Sequence, residues 1–309
     1  MIRRYIESVA VVFSLLICGG SLQAQVLPSL LMNQDPVSLA MGSTGAAEEA
    51  DAFAIENNVA AIPFAEQGMS VKAGFGLWQP SYANLKTIGL AGMYKVSDKI
   101  GLALDFKYLM MPSYNGVTGG GADIRDSEFT PKEFGLAAGF SYAFVDCLSA
   151  GLSLRYAGSS LSSEANAKVL GADLGVFFKK NAVSAGLSLN NIGTKVKYSQ
   201  TAYSQPMLIK MGAGYNLELG SSELFFSAQA DVLFAGGLMA GAGCEYSFKD
   251  MVFARAGYHY GNGNAVNAVP SHGSAGIGIK VAGVSLDVAY LYASKTLANS
   301  LCLSLGYSF

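Results

Sequence analysis

The chain holds few groups able to act as nucleophile, base or metal ligand. Its two histidines, His259 and His272, are too few for a histidine metal cage or an ordinary catalytic triad. Neither a Gly-x-Ser-x-Gly elbow nor a phosphate-binding loop occurs. Asp123, Asp126 and Glu128 are of a type that binds calcium, but without the ligand spacing of a dedicated loop they read as a solvated acidic stretch. Gly119-Gly120-Gly121 lacks a strand–helix setting and reads as flexibility. Beyond Cys18 in the leader, Cys147, Cys244 and Cys302 form neither a zinc nor a disulfide framework. No enzyme activity, metal or cofactor is expected.

The ionisable residues instead recur at every second position of alternating segments. Leu102, Leu104, Phe106 and Tyr108 are interleaved with Ala103, Asp105 and Lys107. Leu152, Leu154 and Tyr156 are interleaved with Ser153 and Arg155. Period two is the mark of a strand with two unlike faces. Fourteen such strands are predicted, over 68–77, 87–96, 101–111, 133–144, 148–157, 168–178, 182–190, 207–218, 224–234, 238–248, 251–260, 273–281, 284–292 and 300–309. One face carries aliphatic residues with Tyr and Phe sorted to the strand ends. The other carries glycine and a nearly balanced set of charges: Lys72, Asp105, Lys107, Glu133, Arg155, Asp173, Lys210, Glu218, Asp231, Glu245, Arg255, Lys280 and Asp287. Charges enclosed by a sheet persist when paired or wetted, so an internal ion-pair lattice is expected.

Composition agrees. The chain is 51% hydrophobic and only 14% charged, against about 25% charged in soluble domains. No apolar run approaches the ~20 residues of a spanning helix, whereas most of the strands reach the ~9–11 of a tilted membrane strand. A net charge of −2 argues against nucleic acid. Short turns alternate with longer loops, as in outer-membrane barrels. A sheet in lipid must close to satisfy its backbone. The fold expected is therefore all-β, a 14-stranded antiparallel transmembrane barrel. With an even strand count, both barrel ends and the short turns face the periplasm.

Residues 1–24 read as a signal peptide: Arg3 and Arg4, an apolar stretch from Val9 to Ile17, and small residues before Ala24. A lipoprotein signal ending at Cys18 is the alternative. Residues 25–66 have no strand-length alternation and are interrupted by Pro28, Pro36 and Pro63. A short helix is expected within Ser38 to Ala50. Lying upstream of a closed barrel over 67–309, this segment is expected inside the lumen as a plug. Two long loops, 112–132 with Tyr114, Arg125 and Phe129, and 191–206 with Lys197, Tyr198 and Tyr203, offer the aromatic and basic residues that suit protein recognition.

The N-terminal run Asp35-Pro36-Val37-Ser38-Leu39-Ala40-Met41-Gly42-Ser43-Thr44-Gly45, followed by Asn57-Asn58-Val59-Ala60, resembles the hatch of FadL-like barrels. It is most similar to that of the PorV/PorQ family of the type IX secretion system in Bacteroidota. Arg255-Ala256-Gly257-Tyr258, Leu286-Asp287-Val288-Ala289-Tyr290 and the terminal Ser304-Leu305-Gly306-Tyr307-Ser308-Phe309 fit the same resemblance. It implies a non-enzymatic protein of the Gram-negative outer membrane, bathed in lipid, that serves type IX secretion and cargo attachment, with secretion components or cargo proteins as partners. It marks Asp35, Pro36, Met41, Gly42, Gly45, Asn57 and Asn58 as hatch residues. A FadL-like channel for small hydrophobic compounds is the alternative function.

Overall fold

The computed structural model describes residues 27–309 apart from 82, 116–127, 163–164, 199–200, 263–268 and 294–298. Fourteen strands build one closed antiparallel barrel. In chain order they are β1 Met69–Trp78, β2 Leu85–Lys95, β3 Ile100–Met110, β4 Lys132–Val145, β5 Leu148–Ser160, β6 Asn166–Lys180, β7 Val183–Gly193, β8 Leu208–Leu219, β9 Ser222–Leu233, β10 Leu238–Phe248, β11 Val252–Gly261, β12 His272–Val281, β13 Val284–Ala293 and β14 Ser300–Ser308. Each pairs with its neighbours in sequence, and β1 closes on β14 with Val71 opposite Tyr307. Met69 and Phe309 exchange backbone hydrogen bonds of 2.8 and 3.0 Å at the seam. No edge is left unpaired, which is what a bilayer demands of a sheet.

The short turns take up positive φ. Ala282 and Gly283 have φ of 52° and 82°, the two left-handed central positions that match strand twist in a tight hairpin. The register phases every strand as the period-two pattern requires. Leu104 is 67% exposed on the outer wall, while Asp105, next to it, is buried. Aromatics ring both ends of the outer face: Tyr94, Tyr142, Tyr307 and Phe309 at the short-turn end, Phe234, Tyr258, Tyr290 and Tyr292 at the long-loop end, all exposed. An exposed aliphatic band between two aromatic belts is the outer surface of a membrane barrel.

Residues 27–65 lie inside the ring of strands. They form a 3₁₀ turn at Pro28–Leu30, α1 Pro36–Ala40, α2 Ala54–Asn57 and a second 3₁₀ turn at Val59–Phe64. Asp35 caps α1, accepting from Val37 N at 3.0 Å and Ser38 N at 3.3 Å, with Pro36 at the first helical position. The short helix expected within Ser38 to Ala50 is α1, which starts two residues earlier and ends at Ala40, because Gly42 (φ 78°) and Ser43 (φ 61°) turn the chain left-handed after Met41, and backbone in that region ends a helix.

Among the described residues, two of the long loops carry short strand pairs. Tyr114–Asn115 pairs with Glu128–Phe129, and Val196–Tyr198 pairs with Thr201–Tyr203. β7 also runs on to Gly193, beyond the expected end at 190. A register shift opposite Asp173 bends it there, with Asn191 at φ 60°. An extra residue of this kind is a β-bulge, which re-aims side chains.

Candidate functional site

The inward-facing charges divide by what they hold. One group grips the N-terminal segment. Lys72 Nζ lies 2.7 Å from Asp51 Oδ2 and 3.1 Å from Asp287 Oδ2. Lys107 Nζ lies 2.8 Å from Glu56 Oε1 and donates to Met32 O at 2.6 Å. Glu133 accepts from Ser29 N at 3.2 Å, and Lys210 reaches Glu56 O at 3.4 Å. A second group braces the wall. Arg155 Nη2 meets Asp173 Oδ2 at 2.9 Å, and Asp173 also accepts from Asn191 N at 2.7 Å across the bulge. Arg255 donates to Glu245 through Nε and to Asp287 Oδ1 at 2.8 Å through Nη1. Asp231 accepts from Gln229 Nε2 at 2.9 Å. Lys280 pairs at the short-turn rim with Asp250 at 2.8 Å, and Glu218 is exposed there. Asp105 is buried with no partner on Oδ1 among the described residues.

The hatch residues of the sequence reading all sit in this seat. Asn57 Nδ2 donates to Asp35 Oδ2 at 2.8 Å, and Asn33 Nδ2 donates to Asn57 Oδ1 at 2.8 Å. This ties the start of α1 to the end of α2. Asn58 Nδ2 donates to Val176 O on β6 at 3.0 Å and to Ala46 O at 3.1 Å. Met41 and Gly42 lie on β10 and β11: a Cβ built on Gly42 would stand 2.6 Å from Tyr258 O and 2.7 Å from Ala242 O. Inward glycines of the wall, Gly243 and Gly257 among them, lack the side chains that would overlap Met41 and Gly42. Gly45 N and Ala46 N both donate to Gln229 Oε1, at 3.0 and 2.8 Å.

Sequence reasoning missed the partners Asp51, Glu56, Gln229 and Ser274. Ser274 Oγ accepts from Gly42 N at 3.1 Å and donates to Ala40 O at 2.8 Å. The available signal was charge: Asp51 and Glu56 are acids in a segment expected to meet a wall that carries lysines.

Burial sets the protonation of the seated segment. It pushes the Asp35 carboxyl up to about 7, with Asp51 adding to the rise. Glu48 is raised well above the usual glutamate range by burial and then by Asp35. Burial acts upward on Glu56 too, but Lys107 outweighs it and holds that carboxyl below its ordinary value.

The segment divides the lumen. Toward the long loops a cavity of about 110 Å³ is lined by Leu31, Leu39, Met239 and Leu291 together with Glu56, Asp105, Lys107 and Arg155. Toward the short turns one of about 220 Å³ is lined by Asp35, Glu48, Asp51, Lys72 and Arg255. At the rim, Tyr114 is exposed, with its ring 6.1 Å from that of Phe129. Lys197 is exposed. Tyr198 and Tyr203 are half-buried instead, because Val196 between the strands folds inward onto Leu27, Ala157 and Val169. Arg125 lies outside the described residues.

A closed 14-strand barrel with two aromatic belts, holding its own N-terminal segment, defines a class: the β-barrel proteins of the Gram-negative outer membrane. Within that class, residues 124–307 match the family of type IX secretion system membrane proteins PorP/SprF. The chain belongs to this family. The type IX secretion system named by the sequence resemblance is thus reached again, under the family name PorP/SprF where the N-terminal motif resembles PorV/PorQ.

Among solved structures, the toluene transporter TodX of P. putida superposes with a TM-score of 0.64 at 14% identity, over 89% of this chain and 98% of that one. The toluene transporter TbuX of Ralstonia pickettii gives 0.63 at 12%, with the same coverage of both chains. A FadL homologue of Pseudomonas aeruginosa gives 0.56 at 13%, again over 89% and 98%. At such identities the likeness is one of fold. No curated protein sequence matches the chain.

Proposed function

We propose that this protein is a non-enzymatic accessory barrel of type IX secretion in the outer membrane of a Bacteroidota cell, of the PorV/PorQ type in its role. Its long-loop rim engages cargo proteins, in their delivery or attachment, or another component of the machine. The match of residues 124–307 to a type IX secretion family carries this reading. The lumen supports it. The N-terminal segment acts as a plug, and the space left beneath the long loops is about 110 Å³, below the about 300–1,000 Å³ of ordinary ligand pockets. Specificity then falls to the rim, where Tyr114, Phe129 and Lys197 present aromatic and basic groups of the kind that anchor protein interfaces.

The second reading is a conduit for small hydrophobic compounds, favoured by the apolar side of that same cavity, Leu31, Met239 and Leu291. Trimming 112–132 together with Lys197→Ala separates the two. It leaves Val196 and the packing beneath it in place. Impaired surface delivery of type IX cargo with normal barrel insertion is expected. Unchanged secretion with altered uptake of a hydrophobic compound would reject the secretion reading.

A further inference from the structure

We propose that the cavity at the short-turn end of the lumen is a binding site for a primary ammonium group, carried by a lysine side chain of a partner protein or by a small free amine. The cavity, about 220 Å³, reaches the short turns, where Asn181 and Asp250 on its lining are exposed. Eight carboxyl side chains line it against four basic ones. Two of the basic groups are already engaged by the wall and the N-terminal segment. Lys72 meets Asp51 and Asp287, and Arg255 meets Glu245 and Asp287. Three carboxyls thus surround two cations, and Asp35 and Glu48 line the same space.

Excess acid alone would be a solvated vestibule, but buried side chains on the same lining are left open. Glu48 is only 7% exposed. Thr44 Oγ1 donates to its Oε1, whereas its Oε2 has no hydrogen bond and the carboxyl no ion pair among the described residues. Ser285 is 9% exposed, and its Oγ is also without a partner among the described residues. Asn216 Oδ1, on the same lining, is unpaired as well. A carboxylate and an amide oxygen only accept, while a hydroxyl does either. A cationic donor suits all three; an anion suits neither of the first two. A buried carboxylate without a cation is costly, and a ligand that brings one removes that cost.

The lining also selects the kind of cation. Among the described residues no three ligating side chains are grouped to hold a metal ion, which favours an organic cation. Glu48 offers one open oxygen rather than the pair that a guanidinium fork takes with two parallel bonds. An ammonium is a compact charge with three rotatable donors, which suits acceptors that come singly. The apolar stem behind that charge has Val37 and Phe225 to lie against. The Phe225 ring adds a face of the kind that attracts a cation, whereas the Phe253 ring already has Arg255 over it at 5.1 Å.

The test is ligand-observed saturation-transfer NMR on the full-length protein in detergent, titrated with n-butylammonium. Saturable binding is expected, absent with the neutral n-butanol and weaker with n-butylguanidinium. Glu48→Gln keeps an acceptor for Thr44 and should weaken butylammonium binding at least tenfold. Glu218→Gln, at an exposed position outside the cavity, should leave it unchanged. Titrations with Nα-acetyl-lysinamide and with butanediamine identify the source. Tighter binding of the first assigns the site to a protein side chain, tighter binding of the second to a free amine, and either supports the site. The titrations of the parent decide even where a variant fails to fold. No saturable butylammonium binding, equal binding of butanol or butylguanidinium, or binding that survives Glu48→Gln unchanged overturns the proposal and leaves the carboxyls to water.

Discussion

Leu104 and Asp105 are neighbours in one strand and belong to different chemistries. The outer face needs only apolar side chains with aromatics at the two ends, and many sequences supply that. The inner face is matched atom by atom to residues 27–65: Lys72 to Asp51, Lys107 to Glu56, Gln229 to Gly45 and Ala46. The difference teaches where this barrel is individual. Its outside suits any bilayer, whereas its inside is made for one segment of its own chain.

The sharpest way to break this contrast is at Arg255. Arg255→Met strips Glu245 of its cation and leaves Asp287 with Lys72 alone. Removing one member of a buried charged cluster costs about 3–5 kcal/mol, read as a loss of unfolding free energy in a denaturant titration of the folded barrel. A change within error would mean the inner lattice is solvated and generic.

Leu104→Lys probes the other face. A lysine facing lipid at mid-depth costs about 2–4 kcal/mol in the same titration carried out in bilayers. The cost should shrink in detergent, where the charge reaches water. Equal cost in both media would place Leu104 somewhere other than the lipid face. A smaller effect is expected at Gly151, where an added Cβ would stand 2.6 Å from Val59 Cγ1 and 2.9 Å from Ala60 N. Gly151→Val should cost about 1–3 kcal/mol by overpacking and raise hydrogen exchange in Val59–Phe64. Destabilisation with unchanged exchange there would count against close seating.

The mildest lever is pH. A carboxyl whose pKa rises on seating takes up a proton as the segment seats. Asp35, raised to about 7 by burial and Asp51, and Glu48, raised in the same sense, therefore favour the seated state as pH falls. That gain is lost as pH rises through about 7 and is complete below about 4, the unfolded aspartate value. Glu56 has the opposite sign, but only near and below its ordinary value. Between pH of about 8 and about 5.5, protection of the amides in Pro36–Ala40 should rise once intrinsic exchange is corrected. A fall would reverse the sign assigned to Asp35 and Glu48.

The barrel was legible because its two faces differ in kind, and a period of two exposes that difference directly. All fourteen strands follow from it. Their ends blur where the period breaks, as at Asn190 and Asn191, where a bulge inserts a residue and carries β7 to Gly193. α1 sits at the start of its expected span and short of Ala46, Ala47 and Ala50, because the contacts of Gly42 with Tyr258 and Ala242 that turn the chain are set by tertiary packing. The lumen charges were readable as a set but not as pairs, since Asp51 and Glu56 meet their lysines only once the segment is threaded inside. The hairpin at Val196–Tyr198 stayed invisible because three-residue strands are too short for a period to show.

The central claim is that the N-terminal segment seals the lumen, and single-channel recording in planar bilayers tests it most directly. The intact barrel should be electrically silent, and a chain lacking residues 30–60 should insert and conduct ions steadily. Steady conductance by the intact protein, or a deletion that inserts and stays silent, would contradict the account.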